Sequence, residues 1–474
     1  MAVAVAAPHT AAVRAARSAV AGGGNAFDAA LAAAGALTVV YPHQCSVGGD
    51  LVAIVRPAGG APRAVLSIGA AAANADIDRL RAAGGEMPFG GPDPITVPGV
   101  VAGWAAVAGF GARLPLTELL APAIGLAEEG VPFSPGLRRA IAERADAIRA
   151  DPGLSGLLLR GDDRLVQPVL AGTLAEIAAD WRVFYEGDLG RRLADGLRRL
   201  GSPLVAADLA AHRAEVVAPL TRVVDGVTWH AAPPPVQGPT FLAVLGAGDL
   251  LGASRRARRT RDALLGDPRT GPVDLEELLG GDAPPASEGL LGGEVPPAKE
   301  GPRPGGDTVA VTAVDGDGNA VTLIQSLFES FGSGLLDPGT GIVLHNRGAS
   351  FSLDPRHPGR IAPGSRPPHT LCPTMAVAGD TVVALGCMGG RNQPWILAQV
   401  AGAALEWDDL AGLLARPRWV FDGEDVLAEP AELHDRAGHV QVCRLRDGVL
   451  AAASDPRADG AAAVCGDASG VSGE

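Results

Sequence analysis

Hydrophobic and polar positions alternate between helical and strand-like regimes along this chain. Residues 8–20 form an Ala-rich stretch that predicts a helix, and Gly22-Gly23-Gly24 stops it. Asn25 is placed to cap the next helix, with Asp28 in its first turn. The apolar run from Ala29 to Tyr41 lies between Asp28 and Pro42 and is too short for a membrane span of ~20 residues. Ser46-Val47-Gly48-Gly49-Asp50 predicts a turn, and Leu51 to Arg56 a strand. Residues 98–220 read as mostly helical, punctuated by Pro98-Gly99 and Pro115. From 264 to 306 Pro, Gly and acidic residues dominate, which predicts an exposed, poorly ordered linker. A β-branched strand follows from Asp307 to Val314, then a turn, Asp315-Gly316-Asp317-Gly318-Asn319, then a second strand, Ala320 to Leu327. Beyond it the pattern predicts strands and loops, with one helix after Gly390, and no internal repeat is found.

Composition sharpens this. The chain has 474 residues, 47% of them hydrophobic, which supplies a large core and excludes a disordered chain. Aromatics are only 4% and glycines number 65, so small and aliphatic side chains must build the core. A net charge of −14 argues against nucleic acid as a partner. Arg255, Arg256, Arg258, Arg259 and Arg261 read as a solvated helix face. Five cysteines, with no CxxC, predict free thiols in a reducing compartment. No signal peptide or spanning segment is evident, so a soluble cytoplasmic protein with no membrane partner is expected. The nine histidines show no metal-ligand spacing, and no metal or cofactor is expected. The single lysine, Lys299, disfavours Schiff-base and Ser-Lys chemistry, and the absence of GxSxG disfavours a conventional serine hydrolase.

The hairpin is the first place where chemistry enters. With the five turn residues as its loop, Val314 pairs with Ala320 and Thr308 falls opposite Ser326. Two facing hydroxyls are common on half-wet sheets. Here, however, Thr308 opens a strand directly after a long polar linker. A threonine released as an N-terminus supplies nucleophile and base together, because its α-amine has an unperturbed pKa of ~7.7–8.0. A second feature points the same way. The apolar stretch Thr381 to Leu385 runs into Gly386-Cys387-Met388-Gly389-Gly390 just before a helix. Adjacent glycines there let backbone N–H groups converge on an oxyanion; a simple turn would look alike.

At this point the sequence resembles the γ-glutamyltransferases, which are N-terminal-nucleophile (Ntn) hydrolases. Gly22-Gly23-Gly24-Asn25-Ala26-Phe27-Asp28-Ala29-Ala30, Val97-Pro98-Gly99-Val100-Val101-Ala102-Gly103, Leu119-Leu120-Ala121-Pro122-Ala123-Ile124 and Pro233-Pro234-Pro235-Val236-Gln237-Gly238 are each similar to a family segment, in family order. The resemblance covers nearly the whole chain. It implies an α+β fold, a four-layer αββα sandwich, and autocatalytic cleavage between Asp307 and Thr308. A large fragment, 1–307, and a small one, 308–474, would result. By resemblance Thr308 is the nucleophile, Ser326 assists it, and Gly389 and Gly390 supply the oxyanion-hole amides. The partners expected are a small-molecule amide and the two fragments themselves; an oligomer stays open.

The pattern departs from the family where the substrate's amino-acid head is held. The stretch matching the family's arginine segment is Ser67-Ile68-Gly69-Ala70, with glycine in place of arginine. The binding loop reads His345-Asn346-Arg347-Gly348-Ala349-Ser350, with Ser350 in an acidic position, and His369-Thr370 replaces the usual Ser-Ser pair. These departures resemble a branch that holds acylases and an oxamate amidohydrolase. Arg347 is the expected replacement carboxylate anchor, with Arg391 a weaker candidate, and Asn346, Ser350, His369 and Thr370 are candidate substrate contacts. His345 and His369 either line the pocket or pack. The expected function is a self-processing amide hydrolase or acyltransferase, acting on a γ-glutamyl amide or another small carboxylate-bearing amide. The alternative is an unprocessed relative serving binding or assembly.

Overall fold

The computed structural model describes residues 1–281, 307–429 and 435–466. A strand, Val3–Ala7, stands ahead of the expected Ala-rich helix, which runs Thr10–Ala21 and is capped by a ring nitrogen of His9. The second helix, Ala26–Val40, starts as anticipated. Asn25 and Asp28 close a reciprocal capping box that satisfies two otherwise orphaned N–H donors. Every residue of this helix is buried. That explains its uniformly small, apolar sequence: it has no wet face on which a polar stripe could sit.

Two antiparallel sheets lie face to face. The first runs Ala461–Cys465, Val3–Ala7, Asp307–Asp315, Ala320–Phe328, Asp50–Arg56, Arg63–Ser67 and Glu215–Val217. The second runs Val449–Ser454, His439–Arg446, Thr381–Met388, Thr374–Ala378, Val227–Ala231 and Leu220–Val224. Alternation along each strand divides its residues between two cores. Val309, Val311, Ala313, Val321 and Leu323 face the helices Ala26–Val40 and Val100–Ala108. Ala310, Val314 and Ile324 face Met375, Val382 and Ala384 of the second sheet. Behind the second sheet, Phe241, Ile396, Leu397 and Val400 cover it with the helices Gly238–Val244 and Gln393–Glu406. The expected αββα layering is borne out. Among the described residues no helix is long and apolar enough to cross a membrane, and all five cysteines are buried and free.

Three expectations need correction. The stretch read as linker is ordered up to residue 281: Leu275–Leu278 is helical, and buried Asp267 pairs with buried Arg366 at 2.8 Å. Composition marked this stretch as exposed because it cannot show that a distant arginine needs a counter-ion. The rest of it, 282–306 with Lys299, lies outside the described residues. The arginine-rich helix, Leu250–Leu264, is not solvated throughout; Arg261 is buried and braces the loop after Gly389. The region after Gly390 holds a second helix, Leu410–Ala415, too short for a periodic signal.

Candidate active site

The hairpin places two hydroxyls together at one end of the first sheet. Its register is the expected one from Val314 opposite Ala320 down to Val309 opposite Gln325. There it shifts, so that Asp307 pairs with Phe328 and Ser326 falls in the irregularity. A bulge of this kind re-aims side chains. Thr308 Oγ1 still donates to Ser326 Oγ at 3.1 Å, and Ser326 Oγ accepts the Phe328 N–H at 2.8 Å. Thr308 is 1% exposed. Phe328 and Phe331 have φ of 79° and 59°, a strained conformation for bulky residues, which marks the segment after Ser326 as held by its surroundings.

The second sheet brings its glycine turn to the same end. Thr312 contacts Cys443, which pairs with Ala384, and Gly386 backs onto Ala310. Beyond these contacts the first strand continues toward Thr308 and the second toward Met388. The chain then turns through Gly389, at φ 154°, and Gly390, at φ 51°, into the helix Gln393–Glu406. A side chain on Gly389 would meet Ile396 Cδ1 at 2.5 Å. The turn is braced from behind. Buried Gln237 donates through Nε2 to the carbonyls of Gly390, at 3.0 Å, and Thr370, while Arg261 donates to Gln237 Oε1 at 3.0 Å and to the Arg391 carbonyl at 2.8 Å.

Arg347 is also 1% exposed, and its guanidinium lies 3.4 Å from the centre of the Phe328 ring. Nη1 donates to Thr370 Oγ1 at 2.8 Å and Nε to Ser350 Oγ at 3.2 Å. Nη2 is buried with no hydrogen-bond partner. Burial lowers its pKa to about 9, which still leaves it cationic at neutral pH. A buried cation whose Nη2 group leaves both of its N–H bonds unused is a ready site for a carboxylate oxygen.

A buried acid and two histidines complete the surroundings. Asp50 pairs with Ser326 across the strands and accepts the Gly69 N–H at 2.9 Å. His369 Nδ1 accepts the Leu371 N–H at 3.3 Å, which leaves Nε2–H to donate to Asp50 Oδ2 at 3.2 Å. His345 donates through Nε2 to the Thr96 carbonyl at 2.8 Å, and its Nδ1 lies 3.6 Å from Asp50 Oδ2. Burial, opposed by the Gly69 N–H, Arg347 and Gly99, pushes the Asp50 carboxyl up to about 8, while burial lowers both histidines, His345 to about 4. At neutral pH the set is therefore a mostly protonated acid between two neutral imidazoles.

The expected site residues thus fall into groups. Thr308 and Ser326 touch. Arg347, Ser350 and Thr370 form one hydrogen-bonded unit, in which Ser350 and Thr370 orient the arginine. Asn346 spends its side chain on backbone, accepting the Glu329 N–H at 3.2 Å and donating to the Phe89 carbonyl at 2.8 Å. Asp307 is described only through its backbone, paired with Phe328. Sequence reasoning missed Asp50, Gln237, Phe328 and Glu329. Gln237 sat inside a recognised segment without a role; Asp50 closed the glycine turn and was read only as part of it. Gly69 has a structural reason to be glycine: a Cβ there would stand 1.5 Å from the Val97 carbonyl oxygen.

Comparison with known proteins agrees with this geometry. Residues 12–465 match the gamma-glutamyltranspeptidase family. The chain is 37% identical to the oxamate amidohydrolase proenzyme of Klebsiella pneumoniae, covering 96% of this chain and 97% of that protein. It is 32% identical to the glutathione hydrolase-like YwrD proenzyme of Bacillus subtilis, over 97% of each. Among solved structures, a cephalosporin acylase from Bacillus halodurans superposes with a TM-score of 0.83 at 30% identity, over 97% of this chain and 95% of that one. A hairpin that presents paired hydroxyls between two sheets, over the whole length of such relatives, makes this chain an enzyme of the gamma-glutamyltranspeptidase family, with the Ntn-hydrolase fold.

Proposed function

We propose that this chain is a self-processing amide hydrolase or acyltransferase, with Thr308 as nucleophile and a small carboxylate-bearing amide as substrate. The Thr308–Ser326 hydrogen bond at the head of a strand carries this reading. In the intact chain the Asp307 carbonyl is bonded to the Thr308 nitrogen, and Oγ1 would reach it by closing a five-membered ring. Attack there, an N→O acyl shift and hydrolysis of the ester would release residues 1–307 and free the Thr308 α-amine. The mature Thr308 would then attack a substrate amide while its amine takes the hydroxyl proton and later delivers it to the leaving nitrogen. Gly389 and Gly390 N–H groups would hold the oxyanion. Water or an amine would resolve the acyl-enzyme. The proenzyme names of the two curated relatives support processing.

The substrate reading rests on Arg347. Its unpartnered Nη2 supports recognition of a carboxylate, and the Klebsiella relative is named for oxamate, a carboxylate bonded directly to an amide. Intact mass and N-terminal sequencing test the first half: fragments of 307 and 167 residues are expected, threonine leading the smaller, and none from Thr308→Ala. A chain that stays whole on incubation overturns the reading. Assay of oxamate, simple N-acyl amides and a γ-glutamyl anilide tests the second. Arg347→Lys should raise KM for the carboxylate substrate at least about tenfold, because an ammonium cannot reproduce the planar fork. An unchanged KM would remove Arg347 from the substrate site.

A further inference from the structure

Beside Arg347 lies a second buried charged group to which neither sequence nor relatives assign a role. Glu329 is 6% exposed. Its Oε1 is buried without a hydrogen-bond partner, and no guanidinium comes within ion-pair distance of it among the described residues. Its surroundings are nonetheless cationic: burial pushes its carboxyl up to about 7 while Arg144, Arg347 and Arg391 hold it down. Arg347 in turn feels Glu329.

The two charges are fixed against each other by backbone. Phe328, whose ring supports the Arg347 guanidinium, precedes Glu329, and Asn346, which precedes Arg347, accepts the Glu329 N–H. The left-handed conformation of Phe328 directs the chain at this point. A turn that holds a bulky residue in a strained region, and buries a carboxylate that nothing pairs, costs stability twice over. Such costs concentrate at sites completed by a ligand. The unused Nη2 group of Arg347 and the unused Oε1 of Glu329 ask for complementary groups: an acceptor anion for the first and a donor for the second.

We propose that Glu329 is a specificity-determining residue of this site, accepting a hydrogen bond from an N–H group that stands beside the carboxylate held by Arg347. The ligand class is a small carboxylate with an adjacent nitrogen donor, either a primary amide or an ammonium. This deepens the reading given above and rests on Arg347 as carboxylate anchor. Ser350, where the family pattern has an acid, is occupied with orienting Arg347. Glu329 supplies an acid from a different segment, the bend that follows the strand Ala320–Phe328.

Thermal stabilisation by ligand pairs of matched shape tests this on the self-cleaved protein. Oxamate and pyruvate differ by NH2 against CH3, and alanine and propionate by an ammonium against hydrogen. A ligand that binds the native state raises Tm by an amount that grows with the logarithm of its concentration over Kd. Wild type should respond to one nitrogen-bearing member at about tenfold lower concentration than its partner, the size expected for a hydrogen bond to a charged group. Which pair discriminates identifies the donor. Glu329→Met should bring the two members of that pair within about twofold. Glu329→Gln, which keeps shape and an acceptor oxygen, should retain about threefold and guards against loss of folding in the first variant. Absence of discrimination in both pairs, or discrimination that survives either substitution unchanged, overturns the proposal. Failure to self-cleave would be seen separately by mass and would count against Thr308 instead.

Discussion

At the scale of single residues, the site joins one hydroxyl–hydroxyl hydrogen bond to several titratable groups kept away from water. Ser326 Oγ is the acceptor of Thr308 Oγ1 and of the Phe328 N–H. Ser326→Ala should therefore slow both self-cleavage and turnover by roughly tenfold, the value of one such bond; a rate change confined to one of the two would show that the hydroxyl acts only there. Asp50 makes a pH prediction. An unfolded aspartic acid ionises near ~3.9, whereas Asp50 is pushed up to about 8. Between those values the folded state holds a proton that the unfolded state has lost, so Asp50 lowers stability as pH rises through that window. His345 and His369 act in the opposite direction, since burial keeps them neutral and they lose stability as pH falls below ~6.5. In Asp50→Asn the loss of Tm from about pH 6 to about pH 8 should flatten; an identical slope in variant and wild type would mean that Asp50 ionises normally. The sequence made Thr308, Ser326 and Arg347 legible through spacing and motif. It left Asp50, Gln237 and Glu329 hidden, because a carboxyl becomes chemically unusual, and a carboxamide becomes a brace, only when distant residues bury it.

At the scale of elements, period-two alternation was enough to read the hairpin, and the loop length was enough to set its register as far as Gln325. The irregularity beyond that point was not readable, since it answers to the neighbouring strand Asp50–Arg56 and to Gly49, which packs against the Ser326 carbonyl. The helix cap at Asn25 was legible because it is closed within four residues. The strand Val3–Ala7 was not, because its short apolar run has meaning only between Asp307–Asp315 and Ala461–Cys465. Gly69 belongs to this scale as well. Its N–H holds Asp50, and its missing side chain lets the Val97 carbonyl approach. Gly69→Ala should cost more than about 3 kcal/mol, since backbone rather than a flexible side chain stands in the way, and restoring the family's arginine there should prevent folding. A soluble, processed Gly69→Arg protein would show that this segment rearranges freely.

At the scale of the whole molecule, the proposed cut would separate the chain without separating the fold. Strand Asp307–Asp315 sits between Val3–Ala7 and Ala320–Phe328, so each sheet mixes strands from both sides of the cut. The inter-sheet core does the same, with Ala4, Ala6, Val52 and Ile54 packed against Val382, Ala384 and Cys443. The two fragments should co-elute as one species in native gel filtration and part only in denaturant. Dissociation under native conditions would mean that this shared core is weaker than its burial implies. What the sequence determined by itself was local or shared with relatives: caps, alternation, the hairpin loop, the ordered family segments and the hydroxyl at the head of a strand. What only the tertiary structure decided was the pairing of positions far apart, Asp50 with His369, Gln237 with the Gly390 carbonyl, Asp267 with Arg366. The reason is range. Caps, turns and strand periods follow from contacts within a few residues, whereas burial, protonation and an unpartnered charge are properties of the space between two packed sheets.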